Sequence, residues 1–597
     1  MNITPNKLTI AQLFATPNEQ FVVPSYQRRY AWGERQYLAL FEDIDMLKEN
    51  DGHLFGMIIL HTNYHTGGLN QPELVDGQQR MTTLVILLKA LLDAYRNKDK
   101  TEKADEIEKM LKCQGLDEQR KPKLRLGDLD NKDIEKLLLH NEVTDLSNKN
   151  ILNAYNAYLN RFNSFDADKL NRFYFKVTNI AVIIRLDVGM AQDAYKLFET
   201  INNRGLRLTP TDIIKNFLLG HAAKINQTQT LEKVKNLWSE IITNLDELDT
   251  DDFLRHFVCS KLHRKITKST LVYEFKKFYL KSVKQADILG EYEYYQTDYD
   301  SDDEEESNPT NGEVAEPSNE PIDQKIDIIG FLSILKDLSE IYRKISFASF
   351  GNVKINRRIK NLNNILSTPS YIFLMHFLQE NGHPQKEKLE VLKYIETLML
   401  RRHICERRTS ENDDLFPKLV PFIGSADILT LIKENVDEGE FMPPDTEFED
   451  SFPKHEFKGI LIDRAKYVLE TIEYYKRGNT DELTVSSSGE VELEHIIPQT
   501  ITTRKSKEEF GDWEEYLGEN SSVKHKKFVN LIGNMTLLGE SLNIQAYNNP
   551  FAKKKQSYKK SSFIITQELA NQNDFKFNHV TKRGQALTEL ALQIWKA

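Results

Sequence analysis

Cysteine is nearly absent from this chain. The 597 residues hold only Cys113, Cys259 and Cys405, too few and too far apart for a disulfide framework or a cysteine zinc site. Long apolar runs are missing too. No stretch of 18 apolar residues occurs, and the start, Met1-Asn2-Ile3-Thr4-Pro5, lacks the basic-then-apolar order of an export signal. A cytoplasmic protein with no membrane partner is expected. No Gly-rich loop ends in Gly-Lys-Ser or Gly-Lys-Thr, and no dinucleotide fingerprint is found, which excludes ordinary P-loop chemistry. What remains, at 40% hydrophobic and 28% charged residues, is an ordinary globular composition. The length is too great for one core and predicts about three or four domains.

Basic charge is also in deficit, with a formal net charge of -11. The deficit is local. Residues 291–323 contain 13 acidic side chains and no basic one, leaving 79 basic against 77 acidic residues elsewhere. This segment, with its Pro, Asn and Gly, cannot bury apolar area and reads as a disordered loop; mimicry of DNA in a basic groove is the alternative. Ser521 to Arg583 reverses the sign, with 11 Lys and Arg against 3 Asp and Glu. Such a reversal is an electrostatic footprint for a polyanion. Lys553-Lys554-Lys555 and Lys559-Lys560, flanking Tyr558, suit phosphate contacts without base reading, or simply a solvated helical face.

Beside this basic region stands Glu494-His495-Ile496-Ile497-Pro498, followed by Asn530-Leu531-Ile532-Gly533-Asn534 and by Asn543. Phosphodiester cleavage needs a base to activate water and a cation to neutralise charge on phosphate. Neutral imidazole suits the first task. The oxygens of Glu494 and Asn543 suit a hard ion, magnesium or manganese, better than zinc. Strand alternation puts His495 and Glu494 on opposite faces; Pro498 ends the strand, and a distortion there would bring both toward one ion.

The pattern resembles the HNH, or ββα-metal, nuclease fold in the variant whose later histidines are asparagines. The resemblance implies His495 as general base, Glu494 and Asn543 as metal ligands, and Asn534 as the brace of the catalytic loop. A long insertion separates His495 from Asn534, so the choice between Asn530 and Asn534 stays open.

The N-terminal part reads differently. Short strands are expected at 21–24 and 73–75, a buried strand at 54–61, an amphipathic helix at 34–48 and a strong helix at 81–95. Between strand and helix lies Asp76-Gly77-Gln78-Gln79-Arg80. Gly77 permits a tight bend, the first helical N–H groups carry the positive end of the dipole, and Arg80, Thr82 and Thr83 add donors, so a phosphate suits this turn. As a generic turn it needs no ligand. Tyr26, Tyr30 and Trp32 have a core role as their simplest reading.

Together with this turn, Val23-Pro24-Ser25-Tyr26-Gln27-Arg28-Arg29-Tyr30-Ala31-Trp32 and Phe198-Glu199-Thr200-Ile201-Asn202-Asn203-Arg204-Gly205, followed by Leu208, Asp212 and Lys215, resemble the ParB/sulfiredoxin-like NTPase domain of GmrSD-type modification-dependent restriction systems. The likeness covers roughly 8–220 and 490–560. It implies a type IV restriction endonuclease that attacks double-stranded foreign DNA carrying modified cytosines, with a nucleoside triphosphate and a divalent metal taking part. Arg28, Asp76, Gln79 and Arg80 then correspond to nucleotide-site residues, with Gln27, Gly77, Gln78, Thr82, Thr83 and Arg204 close by.

The expected architecture is multidomain α+β and helix-rich: a ParB/sulfiredoxin-like α/β domain over 1–225, an α-helical connector over 226–480 and an HNH-type domain over 481–597. Helical periodicity marks 229–245, 326–345, 371–380, 386–401 and 459–475. Arg401-Arg402-His403 and Arg407-Arg408 suit either a DNA channel or a solvated helix end. His61 and His65 are read as a hairpin tip without a role. A nucleotide-regulated DNA-binding protein with a non-catalytic HNH-like scaffold is the competing reading, an RNA-directed toxin a third, and homodimer formation is left open.

Overall fold

In the computed structural model the described residues are 3–48, 53–62, 64–202, 209–225, 228–289, 325–379, 382–478, 491–502, 507–508 and 511–597. The acidic segment 291–323 and Arg204 lie outside them. The chain is helix-rich with one small mixed sheet, and it divides into two compact units: Met1–Val258 with Ile266–Glu340, and Cys259–Lys265 with Ile341–Ala597. Among the described residues no helix is long and apolar enough to cross a membrane.

The first unit is built on a six-stranded sheet. Its strands lie in the order Ile3–Thr9, Ala181–Val188, His53–His61, Glu73–Asp76, Phe21–Val22, Leu124–Arg125. His53–His61 runs parallel to Ala181–Val188 and antiparallel to Glu73–Asp76. The helix Gln78–Arg96 is buried from Met81 through Tyr95 on every face, as expected of a segment apolar all round. It packs against Lys149–Asn163 and Thr101–Leu111. Its one internal cation, Lys89, is neutralised by Asp93 at 2.7 Å and also bonds Asn141.

Two long strands lie outside those expected. Ile3–Thr9 includes Pro5, Asn6 and Lys7, and it sits at the sheet edge, where a missing amide proton is tolerated. Ala181–Val188 continues directly from a helix, Ala167–Phe175 extended through Ile180.

Among the described residues the second unit is helical around one antiparallel strand pair. Val491–His495 pairs antiparallel with Met535–Gly539, from Val491 opposite Gly539 to His495 opposite Met535, without a register shift. The helix Glu540–Ala546 follows at once and packs on both strands, and Phe551–Lys560, Ile564–Ala570 and Phe577–Ile594 come next. The chain passes so close to Phe577–Ile594 that a Cβ on Gly533 would lie 2.1 Å from the Val580 carbonyl oxygen.

Arg401 and Arg402 are 0% and 2% exposed, which corrects the DNA-channel and solvated-end readings for these two, whereas Arg407 and Arg408 are exposed. Arg401 donates to the carbonyls of Pro443 and Trp595 and pairs with Asp445, and Arg402 binds Asn412, Phe441 and Glu411. Arg407 pairs with Glu447. These guanidiniums tie helices to loops that no local pattern brings together.

Candidate functional site

His495 is the last residue of its strand, and the turn that follows is held group by group. The peptide joining His495 to Ile496 is fixed at both ends: the His495 carbonyl accepts from Lys554 Nζ at 2.7 Å, and the Ile496 amide donates to the Asn534 carbonyl at 2.9 Å. The Ile497 amide donates to Asn534 Oδ1 at 2.8 Å, and Asn534 Nδ2 donates to the Ile497 and Val529 carbonyls, each at 3.0 Å. The Pro498 carbonyl lies 2.7 Å from His525 Nε2. Asn534 and His525 are buried. The Asn530 side chain has no part in this grip; its carbonyl accepts from the Phe457 amide.

The His495 imidazole is partly buried, and Gln499 Nε2 is 3.5 Å from its Nε2. Burial, with the charge of Lys554 and His525 adding to it, pushes its pKa down to about 4. The ring is therefore neutral at physiological pH and carries a free electron pair, the state a general base requires.

Glu494 has a different environment. It is 5% exposed, and its Oε1 accepts from Lys554 Nζ at 2.7 Å and from the Tyr558 hydroxyl at 2.9 Å. Burial raises its carboxyl pKa and lowers that of the Lys554 ammonium, and their mutual attraction opposes both shifts. Because the strand register is unbroken through His495, the distortion expected at Pro498 does not rotate Glu494 to the histidine face. Asn543 lies on Glu540–Ala546 and is partly exposed.

Lys554 is 1% exposed and ion-paired, so the expectation that it touches DNA phosphate is corrected. Lys555 is partly buried and donates to the Gln572 carbonyl, whereas Lys553, Lys559 and Lys560 face solvent. The separating signal was in the sequence: Phe551, Lys554 and Tyr558 recur at helical spacing and share the buried face. His525 and Arg583 were missed. Arg583 Nη1 donates to the carbonyls of Ile532, Gly533 and Met535, the last at 2.6 Å, and no motif flags such carbonyl capture.

In the first unit the strand Glu73–Asp76 turns into the helix Gln78–Arg96 through Gly77, whose φ is +91° and whose Cβ position would lie 2.5 Å from Ile58 Cγ2. Glycine is required there on both counts. Beside the turn, Gln27 donates to the Val75 carbonyl and accepts from Lys215, which also bonds Asp212 at 3.1 Å. Burial raises the Asp76 pKa against the pull of Arg80, while Lys215 and Arg28 outweigh burial and lower that of Asp212. Lys215, named in the sequence without a role, is the buried cation of this cluster.

The other turn residues divide. Gln79 is committed to the loop below it, accepting from the Ala31 amide and donating to the Arg29 carbonyl. Arg80 gives one arm to the Met57 carbonyl at 2.7 Å. Thr83 is fully buried, bonded to the Gln79 carbonyl and 2.9 Å from the Tyr30 hydroxyl, which corrects its place among ligand donors. Thr82 turns its hydroxyl to the Gln78 carbonyl. Arg28, Gln78, Gln79 and Thr82 line a cleft of about 20 Å³, room for about one water. Among the described residues Gln78 Oε1 is buried without a hydrogen-bond partner, and Arg28 is exposed.

Residues 10–219 match the family model of the GmrSD restriction endonuclease N-terminal domain, and residues 442–590 match that of the GmrSD restriction endonucleases C-terminal domain. No curated protein matches the chain.

Proposed function

We propose that this chain, which belongs to the GmrSD restriction endonucleases, breaks DNA at the end of the Val491–His495 strand, with His495 as the base that takes a proton from the attacking water. The observation that carries this reading is a histidine at the strand end on a turn whose backbone groups are individually tied down. A base so held loses little orientational freedom as the reaction proceeds. The order strand, strand, helix supports an HNH-type assignment, and the mixed sheet with its Asp76–Arg80 turn supports a ParB/sulfiredoxin-like one.

A divalent ion, when bound in such a site, neutralises charge on phosphate. The residues expected to hold it do not fit. Glu494 Oε1 is already paired with an ammonium, beside which a divalent ion would be repelled. What the chain itself supplies is the base, the fixed turn and the exposed Lys553, Lys559 and Lys560.

The nucleotide site belongs to the same reading. The N-terminus of a 19-residue helix, the unpartnered Gln78 oxygen and the exposed Arg28 form a donor and acceptor set that suits a nucleoside triphosphate. The cleft encloses too little space for more than part of such a ligand. Discrimination of modified cytosines is part of the proposal and is tested directly: phage DNA with and without cytosine modification is digested with magnesium or manganese and each nucleotide. Cleavage of the modified DNA alone, lost in His495→Ala with DNA binding kept, is the expected result. Identical behaviour of wild type and His495→Ala favours a regulatory DNA-binding protein.

A further inference from the structure

We propose that Lys554 is a positioning residue for His495, and that Glu494 serves as the counter-ion of Lys554 instead of binding a divalent cation. This deepens the reading of His495 as the base and rests on it. Lys554 Nζ spans two consecutive residues of the strand: it is 2.7 Å from the Glu494 carboxylate and 2.7 Å from the His495 carbonyl. Tyr558, one turn further along the same helix, donates to the same carboxylate oxygen at 2.9 Å.

The backbone geometry gives this contact its consequence. The peptide that Lys554 holds by its oxygen is held by its N–H through Asn534. A peptide fixed at both ends fixes the backbone of His495, and so the direction in which its side chain leaves the strand. A cation with a fully buried side chain is tolerable only beside an anion, and Glu494 is that anion. A metal on the same oxygen would stand against an ammonium already 2.7 Å away, and two cations on one carboxylate oxygen repel.

The test uses the full-length protein with Lys554→Met, Glu494→Gln and the double variant. Three quantities are measured: the thermal midpoint, Mn²⁺ binding in the absence of DNA, and the His495 imidazole resonance in 15N-histidine-labelled protein, assigned with His495→Ala. Single-turnover cleavage of phage DNA is followed alongside. Both single variants should melt lower, and the double variant should recover because no unpaired charge stays buried. Cleavage in Lys554→Met and in the double variant should stay down on the order of 100-fold at saturating DNA, as for a base held about 1 Å out of place, with a displaced His495 resonance. Glu494→Gln should bind Mn²⁺ as wild type does.

Recovery of cleavage and of the resonance in the double variant would leave Lys554 a purely structural role and overturn the proposal. Loss of Mn²⁺ binding in Glu494→Gln would make Glu494 a ligand and overturn its second half. If wild type cuts no DNA, the nuclease reading fails by itself, and the resonance and Mn²⁺ measurements still decide the placement of Lys554 and Glu494.

Discussion

The side chain of Asn534 meets the backbone of Ile497 as a neighbouring strand would: the Ile497 amide donates to Oδ1 at 2.8 Å, and the Ile497 carbonyl accepts from Nδ2 at 3.0 Å. Only an amide side chain offers a donor and an acceptor side by side. Asn534→Asp keeps the acceptor, loses the donor and buries a charge, and Asn534→Ala leaves an amide and two carbonyls unpaired. We expect Asn534→Ala to cost at least about 3 kcal/mol, from about 1–3 kcal/mol for each of the three groups left without a partner. Urea denaturation measures that cost. An alanine variant of undiminished stability and cleavage would show that the turn holds itself.

Gly77→Ala tests the N-terminal turn. The new methyl would enter Ile58 at 2.5 Å in a left-handed conformation, so a loss of about 1–3 kcal/mol is expected from strain and overpacking. Nucleotide binding, measured by calorimetry with a non-hydrolysable triphosphate, should fall with it. A variant that keeps its stability but binds no nucleotide would place Gly77 in ligand contact, and one that keeps both would remove the turn from the site.

The strand His53–His61 and the helix Gln78–Arg96 were legible because each is a continuous apolar run whose length decides its type. Ile3–Thr9 was not, since its polar residues and Pro5 make sense only at a sheet edge that another part of the chain creates. The same division runs through the site. His495 and Asn534 stand out by residue type and order. The five lysines look alike in composition, yet Lys554 differs from Lys553 by lying on the face shared with Phe551 and Tyr558. Thr82 and Thr83 look equivalent until the Tyr30 hydroxyl claims one of them. What stayed hidden was where polar groups, once buried, find partners far away in sequence, as Arg401 does at Trp595.

Lys553, Lys559 and Lys560 are the solvent-facing members of the basic helix, and their replacement by alanine should weaken DNA binding without touching the fold. If all three meet phosphates, the slope of log K against log salt should become shallower by up to about 3, since each contact contributes roughly 0.9. Arg401→Lys should do the reverse, lowering the melting temperature and leaving the salt slope unchanged, because that guanidinium is inside the protein. Binding isotherms at several salt concentrations decide both. An unchanged slope in the triple variant would return these lysines to the role of a solvated face.

Glu73 gives the first unit a pH dependence with a defined sign. Burial alone would raise its pKa, but the His61 ring at 3.7 Å, Lys235 at 3.0 Å and the Tyr26 hydroxyl at 2.5 Å outweigh burial and hold it at about 2. A carboxylate depressed from its ordinary value near 4.5 stabilises the fold fully above that value. The contribution is lost as pH falls from there through about 2. Its size is on the order of 3 kcal/mol, one pKa unit being about 1.4 kcal/mol. Glu73→Gln should therefore lower stability at pH 7 by a similar amount and flatten the acid limb of the stability profile between about pH 4.5 and 2. The measurement is denaturant unfolding at stepped pH, followed by the fluorescence of Trp32 and Trp238 in the same unit with Trp513 and Trp595 replaced by Phe. A variant whose acid limb is as steep as that of wild type would assign the pH dependence to another carboxylate.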